Sequence, residues 1–147
     1  MQLENQVVSL ELAKRLKELG VKQESLFYWT SFEPGSYILA VHIGTTLFSS
    51  LLGLSLGNRD GEYDISAFTV AELGEMLPSS MRFPFANGRL RAIKQHLHIF
   101  KGWDDKGWFI NYTAAGTRRL ETIKADTEAD ARAKMLIYLL ENKLITL

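Results

Sequence analysis

Apolar and polar positions follow two different periods along the chain, and the helical period marks both ends. Apolar residues recur at helical spacing between Ser9, a good N-cap, and Gly20, the residue type common just past a helix C-terminus. This stripe consists of Leu12, Ala13, Leu16 and Leu19. Near the other end Thr127 precedes a longer amphipathic run, whose apolar face consists of Ala129, Ala133, Leu136, Ile137, Leu140 and Leu144. The pattern predicts a helix at each end.

A strand period dominates between these helices. Residues 25–32 (SLFYWTSF) and 37–43 (YILAVHI) are rich in β-forming side chains and flank EPGS, which predicts a first hairpin. Residues 95–101 (QHLHIFK) and 107–113 (GWFINYT) flank GWDD and predict a second hairpin. Segment 44–57 is consistent with a further strand or a short helix, and both alternatives stay open.

Shorter elements separate the two hairpins. Residues 63–67 alternate as in a short strand, after a turn predicted at 58–61 (NRDG). Thr69 and Glu72 have the spacing of a capping box and predict a short central helix that ends before Pro78.

Two further segments have weaker patterns. Residues 79–89 contain Pro84 and Asn87-Gly88 and predict a loop, whereas residues 118–124 predict a strand. At 147 residues the chain has the usual length of one domain, 1–147. The order of elements predicts an α+β fold: a largely antiparallel sheet of two hairpins plus short strands, packed by an N-terminal helix, a short central helix and a long C-terminal helix.

Composition bears on the compartment. Residues 37–57 are uncharged and about long enough to span a membrane, but they lack flanking cations and their last leucines alternate with Gly or Ser, which favours buried strands. The first ten residues lack the basic region of a secretory signal. The absence of cysteine excludes disulfides and fits a reducing compartment. We therefore expect a cytoplasmic protein without a membrane segment.

The net charge is zero, but acidic and basic residues are distributed unevenly along the chain. Residues 25–75 hold one cation against six acidic residues, and residues 76–119 hold eight cations against two. Two interpretations stay open: an electropositive face, or two segments that pair with each other.

The basic-aromatic segment 82–119 is one candidate site, because cations beside aromatic rings are what backbone neutralisation and base stacking on single-stranded nucleic acid require. In the alternative interpretation, the aromatic side chains form core and the cations cover the acidic segment. The predicted nucleic-acid-binding residues are Arg82, Arg89, Arg91, Lys94, Lys101, Trp103 and Trp108.

Protein interaction is the function that the sequence favours over nucleic-acid binding. Phe27, Tyr28 and Trp29, or the aromatic residues of the second hairpin, are the predicted anchors for an unidentified partner protein, because aromatic side chains dominate interface energetics. A homodimer through the C-terminal helix is a further prediction, since Met135 and Tyr138 widen its apolar face.

His96 and His98 are a weak candidate for a metal-dependent activity. Positions i and i+2 of a strand share a face, but a site needs further ligands, and the same alternation places both side chains towards solvent. The chain has no G-x-S-x-G, H-E-x-x-H or P-loop motif. We therefore predict no catalytic residues, no metal and no cofactor.

Three stretches resemble a known group of sequences: LELAKRLKELGVKQESLFYW, ISAFTVAELGEMLP and ADTEADARAKMLIYLLENKLI. They are similar to short, functionally uncharacterised proteins encoded by bacteriophages, prophages and related mobile elements of bacteria. The similarity covers about a third to a half of the chain and lies in helix caps and apolar faces. Residues 37–59 depart from the pattern. The resemblance implies an origin and a cytoplasmic setting, without active-site residues. In that setting the predicted partner is an unidentified host or phage protein.

Overall fold

The computed structural model describes residues 2–33, 35–43, 46–49, 55–57, 64–83, 93–103, 106–113 and 121–147. The helices in these ranges are a short 3-10 helix, Leu3–Asn5, and three α-helices: α1 Leu10–Glu18, α2 Val70–Met76 and α3 Glu128–Glu141. The strands are β1 Phe27–Glu33, β2 Ser36–Ile43, β3 Thr46–Ser49, β4 Ser55–Gly57, β5 Ile65–Ser66, β6 Ser80–Phe83, β7 Ile93–Lys101, β8 Trp108–Thr113 and β9 Ile123–Ala125.

The strands form two antiparallel sheets. The first sheet has the order β4-β3-β2-β1-β5, and the second sheet is the meander β6-β7-β8-β9. The predicted α+β class is confirmed, with helices at the N-terminus, in the centre and at the C-terminus. The two predicted hairpins, β1–β2 and β7–β8, are also confirmed, and each belongs to a different sheet.

Segment 44–57, which the sequence left open between strand and helix, contains strands β3 and β4. Of the strand predicted at 118–124, residues 123–124 belong to β9, residues 121–122 are not in a strand, and the rest lie outside the described residues. The loop predicted over 79–89 is wrong for its first part, because residues 80–83 pair with β7 as strand β6. The predicted turn at 58–61 and the rest of that loop lie outside the described residues.

Helix α1 ends in the way its Gly20 predicts. The Gly20 N–H donates to the Lys17 carbonyl at 3.0 Å and the Val21 N–H donates to the Leu16 carbonyl at 3.1 Å. These are the two bonds of a Schellman motif, which requires a left-handed residue, and Gly20 has φ +83°. Leu16 and Val21 are both buried, so the chain on either side of this cap contributes to the core.

The capping box of α2 is present and connects two elements. The Glu72 N–H donates to Thr69 Oγ1 at 3.2 Å, and the Thr69 N–H donates to Glu72 Oε2 at 2.7 Å. The same carboxylate accepts bonds from Ser25 Oγ and from the Leu26 N–H, both at 3.1 Å. One side chain thereby caps α2 and fixes the start of β1.

Helix α3 is the centre of the main core. Thr127 Oγ1 caps it by accepting a bond from the Asp130 N–H at 3.1 Å. The helix contacts α1, α2, β8 and β9, so it is covered on several sides. Its buried residues are Ala129, Ala131, Ala133, Met135, Leu136, Ile137 and Leu139, a wider face than the predicted stripe.

Helices α1 and α3 are joined near both ends. The Ser9 N–H donates to Asp130 Oδ1 at 2.8 Å. At the other end the Arg15 guanidinium donates to Glu141 Oε1 at 2.7 and 3.0 Å and to Glu18 at 2.9 Å. The two helices therefore lie side by side and run in the same direction.

Trp29 attaches the first sheet to the core. Its indole N–H donates to the Val8 carbonyl at 2.9 Å, and its ring contacts both the main core and a small cluster of Val7, Leu39 and Ala67. At the edge of this sheet the buried Thr30 hydroxyl donates to Asp64 Oδ1 at 2.9 Å, which satisfies a polar pair that burial would otherwise penalise.

Two residues were predicted to extend the apolar face of α3 and so form a homodimer interface, but both pack against the core of their own chain. Met135 is fully buried, and Tyr138 is half-buried against the same core. The homodimer stays a prediction that these contacts do not support. Within the described ranges no helix combines the length and apolar character needed to cross a membrane.

A first prediction concerns Tyr112, which is fully buried and donates from its hydroxyl to the Pro78 carbonyl at 2.6 Å. Burial raises the pKa of Tyr112 from 10.0 to about 12. The unfolded chain therefore loses this proton at lower pH than the folded protein, and the free energy of unfolding should fall by roughly 1.4 kcal/mol per pH unit between these two values.

Urea unfolding measured across this alkaline range tests the prediction. Tyr112→Phe should cost about 1 kcal/mol near neutral pH, because the Pro78 carbonyl loses its donor, and should then show a shallower decline with rising pH. An identical pH slope in wild type and variant would contradict it.

A second prediction concerns Lys143, which closes a Schellman motif after α3 in the left-handed region, at φ 54°. Its N–H donates to the Leu140 carbonyl at 3.0 Å, and the Leu144 N–H donates to the Leu139 carbonyl at 2.8 Å. Because a side chain in this conformation is strained, Lys143→Gly should raise the free energy of unfolding by about 1 kcal/mol.

Differential scanning calorimetry with two controls checks this second prediction. Lys143→Ala keeps the Cβ atom and should give no increase. Gly20→Ala introduces a Cβ at the equivalent position of α1, where open space surrounds it, and should lower stability. An equal effect of Gly and Ala at position 143 would contradict the argument from backbone strain.

Candidate functional site

The two faces of the second sheet have different environments. Strand alternation and the pairing register define an inner face, which packs towards α3 and the main core. Its residues are Met81, Gln95, Leu97, Ile99, Lys101, Trp108, Ile110, Tyr112, Ile123 and Ala125.

The opposite, outer face is open along β7. Its residues are Ser80, Arg82, Lys94, His96, His98, Phe100, Phe109, Asn111, Thr113 and Lys124. The four contributed by β7 are all exposed. None of the residues in the four strands is acidic, so the sheet carries only positive formal charge.

Phe100 and Phe109 form an aromatic platform on this face. Their ring centroids lie 5.4 Å apart and the ring planes differ by 9°, which is a stacked arrangement. Phe100 is 42% exposed, a large fraction for a phenylalanine. The Lys124 ammonium lies 5.4 Å from the Phe109 centroid, within cation–π range. The platform therefore has a cation at one side and solvent at the other.

Arg82 and Lys94 place two like charges opposite each other. They are paired in the β6–β7 register, and both are exposed. Directly opposed side chains have Cβ atoms about 5 Å apart, where like charges destabilise the pair. Neither forms an ion pair with an acidic residue in the described part of the chain. This arrangement favours an anion near both cations.

His96 and His98 lie between these cations and the platform. Both side chains are exposed on the outer face, as the alternation in QHLHIF indicates. The described ranges contain no group of three or more His, Cys, Asp or Glu side chains that would hold a metal ion. The two imidazoles therefore lack a third protein ligand among these residues.

The residues predicted to bind nucleic acid do not form one surface. Arg82 and Lys94 lie on the outer face, whereas Lys101 and Trp108 are paired on the inner side, where Trp108 packs against the core. This separation follows from the two-residue period of a strand, which sends neighbouring side chains to opposite faces. Trp103 lies in the turn after β7. Arg89 and Arg91 lie outside the described residues.

Trp103 is the most exposed large apolar side chain in the described ranges. It lies at the tip of the β7–β8 hairpin, which the Gly102 N–H closes by donating to the Gly107 carbonyl at 3.0 Å. Gly107 has φ +103°, and a Cβ there would approach the Ala125 carbonyl oxygen to 2.8 Å, so the turn requires glycine. The Trp103 ring lies in solvent beside this closing hydrogen bond.

The predicted protein-interaction residues at the start of β1 have partners inside the chain. Phe27 and Trp29 are half-buried against the small cluster, and the Tyr28 hydroxyl accepts a bond from the Ser25 N–H at 3.1 Å. Their role as partner anchors stays a prediction. Phe100 and Trp103 of the second hairpin, the other predicted anchors, are more exposed.

A groove beside α2 is a weaker candidate. It is lined by Gln6, Thr69, Val70, Ala71, Gly74 and Arg132. The Arg132 guanidinium donates to Glu128 at 2.6 and 3.0 Å, and its Nη1 lies 2.9 Å from where a Cβ on Gly74 would be. Its one charged side chain is therefore already paired within the chain.

Sequence reasoning missed Phe109 and Lys124 because strand pairing, not sequence proximity, brings them to the outer face. The i, i+2 spacing from Lys94 to Phe100 was the available signal for β7. No protein-family model, curated protein or solved structure matches this chain. The resemblance to phage and mobile-element proteins therefore stays a prediction.

A third prediction follows from the exposure of Trp103. Acrylamide should quench the fluorescence of the folded protein mainly through this residue, because Trp29 and Trp108 are partly buried. Trp103→Phe should remove the steep component of a Stern–Volmer plot. Trp108→Phe, the matched control, should leave that component in place, and a steep component that survives Trp103→Phe would contradict the geometry.

Proposed function

We propose that this protein binds single-stranded nucleic acid on the outer face of the second sheet. The observation that carries the proposal is the stacked Phe100–Phe109 platform on the same face as Arg82 and Lys94, two exposed cations that form no ion pair within the described ranges. Proteins that bind single strands combine these two features, because the bases need aromatic surfaces for stacking and the phosphates need positive charge.

The cations support phosphate binding by their arrangement. Arg82 and Lys94 repel each other across β6 and β7, and a phosphate between them converts that repulsion into two attractions. Since the chain has no net charge, long-range attraction of a polyanion is weak, and binding depends on contacts at this face.

The aromatic platform supports a single strand over a duplex. Base faces are accessible for stacking only when bases are unpaired or extruded from a helix. The row from Lys94 to Phe100 spans about 20 Å of β7, which accommodates on the order of four nucleotides. Direct reading of a duplex groove instead places a helix or a β-ribbon in the groove.

Fluorescence anisotropy with labelled single strands of about 12 nucleotides tests the proposal, with the matching duplex as competitor. Binding should weaken between about 50 and 200 mM salt, and Lys94→Ala should reduce the slope of log affinity against log salt by about 0.7. Phe100→Ala should cost about 1–3 kcal/mol of binding free energy, because one base loses its stacking partner.

Lys22→Ala is the charge-matched control. Lys22 is exposed, follows α1 and pairs with Glu24 at 2.8 Å, so its loss should leave both affinity and salt slope unchanged. Equal effects of Lys22→Ala and Lys94→Ala would refute the proposed face, as would tighter binding of the duplex than of the single strand.

A protein partner is the second candidate function, favoured by the exposed Phe100 and Trp103 at one end of the second hairpin. Exposed aromatic residues are common anchors of protein interfaces. The same variants separate the two functions: a protein partner recognised through the hairpin end depends on Trp103 and tolerates loss of Lys94, with a weaker dependence on salt than nucleic acid shows.

A further inference from the structure

The outer face carries two side chains able to transfer protons beside the proposed path of the strand. We propose that the protein cleaves bound RNA there, with His96 and His98 as acid and base in the attack of a ribose 2′-oxygen on the adjacent phosphodiester. This inference rests on the proposed binding function and adds a reaction to it.

Four successive outward positions of β7 are Lys94, His96, His98 and Phe100, and all four are exposed. Alternate residues of a strand lie about 6.8 Å apart. A cation, two imidazoles and one ring of the base platform therefore follow one another in a straight row. A strand that stacks a base on Phe100 and places a phosphate near Lys94 passes over both histidines.

The reaction balances without any further reactant. One neutral imidazole accepts the proton of the ribose 2′-hydroxyl, and the 2′-oxygen forms a bond to phosphorus. The bond from phosphorus to the 5′-oxygen breaks, and its electron pair stays on that oxygen. The other imidazole, protonated beforehand, donates its proton there. The products are a 2′,3′-cyclic phosphate and a 5′-hydroxyl end.

The spacing of the two histidines suits this displacement. The attacking and leaving oxygens lie on opposite sides of phosphorus, roughly in line. An acid or base acts from about 2.6–3.2 Å, so two groups on either side of the phosphate must stand several ångströms apart. Imidazoles whose backbones are about 6.8 Å apart on one face meet this requirement. Imidazole can both give and accept a proton near neutral pH.

Neighbouring strands supply hydroxyl groups beside His96. Ser80 and Thr113 are its register partners on β6 and β8, and neither is buried. Asn111, the register partner of His98, is buried and donates from its amide to Thr122 Oγ1 at 3.2 Å, so it stabilises the sheet and does not reach the bound strand. Hydroxyl groups at such positions can hold an imidazole or a phosphate oxygen by hydrogen bonds. Lys94 and Arg82 can stabilise the charge that develops on phosphorus.

The substrate class follows from the nucleophile. Because the 2′-hydroxyl attacks, the protein should cleave single-stranded RNA and bind, without cleaving, DNA of the same sequence. The test uses an end-labelled RNA of about 12 nucleotides in EDTA, with the products separated by electrophoresis and their cyclic phosphate identified by mass spectrometry.

His96→Gln and His98→Gln should each slow cleavage by about 10²–10⁴-fold while RNA binding is retained, and the double variant should be little slower than the worse single variant. The rate of the wild type should be bell-shaped in pH, because one imidazole must be neutral and the other protonated. A 5′-sulfur leaving group, which needs no proton, should restore the rate of only the variant that lacks the acid.

Lys22→Ala is the control for an unrelated substitution and should cleave as the wild type does. The double variant, purified in parallel, is the control for contaminating ribonuclease, because a contaminant would cleave RNA in both preparations. RNA that is bound but cleaved no faster by the wild type than by the double variant would overturn the inference and leave the binding function intact. Failure to bind either RNA or DNA would instead overturn the binding function itself.

Discussion

The burial of α3 is the constraint on which the rest of the structure depends. The first turns of α3 carry three fully buried alanines, Ala129, Ala131 and Ala133, whose side chains are small. Larger side chains further along, Leu136 and Leu139 among them, are also fully buried. Because this one helix packs against α1, α2 and the second sheet, one face of that sheet belongs to the core, and the β7 residues of the opposite face are exposed.

Local patterns in the sequence were sufficient to predict where the helices end and where the two hairpins lie. The Thr69–Glu72 box, the Thr127 cap and the Gly20 terminus each depend on residues within one helical turn, and all three are present in the structure. Strand β6 was missed because residues 80–83 are too few to show a clear period, and their pairing partner lies downstream in β7. The wide burial of α3 was also missed, because it depends on four separate elements, α1, α2, β8 and β9, packing around the helix.

The chemistry of the candidate site was visible in the sequence, but its division between faces was not. Counting residues along the sequence is enough to reveal the excess of cations and aromatic residues after residue 76. Excluding Lys101 and Trp108 from the outer face requires the strand bounds, and including Phe109 and Lys124 requires the register across three strands. A segment rich in suitable residues is therefore a poor guide to a surface when the segment is a strand, since half of its side chains point to the other side.

The contacts between α1 and α3 have a consequence for how the chain acquires its fold. They join residues separated by 121 and 126 positions, so the core cannot close until nearly the whole chain is available. During synthesis α1 emerges long before α3, the helix that it packs against, and apolar residues such as Leu16 are then uncovered. Contacts between residues so far apart in the sequence slow folding and prolong the exposure of apolar surface. The nascent protein thus stays prone to aggregation until α3 has been synthesised and covers this apolar surface.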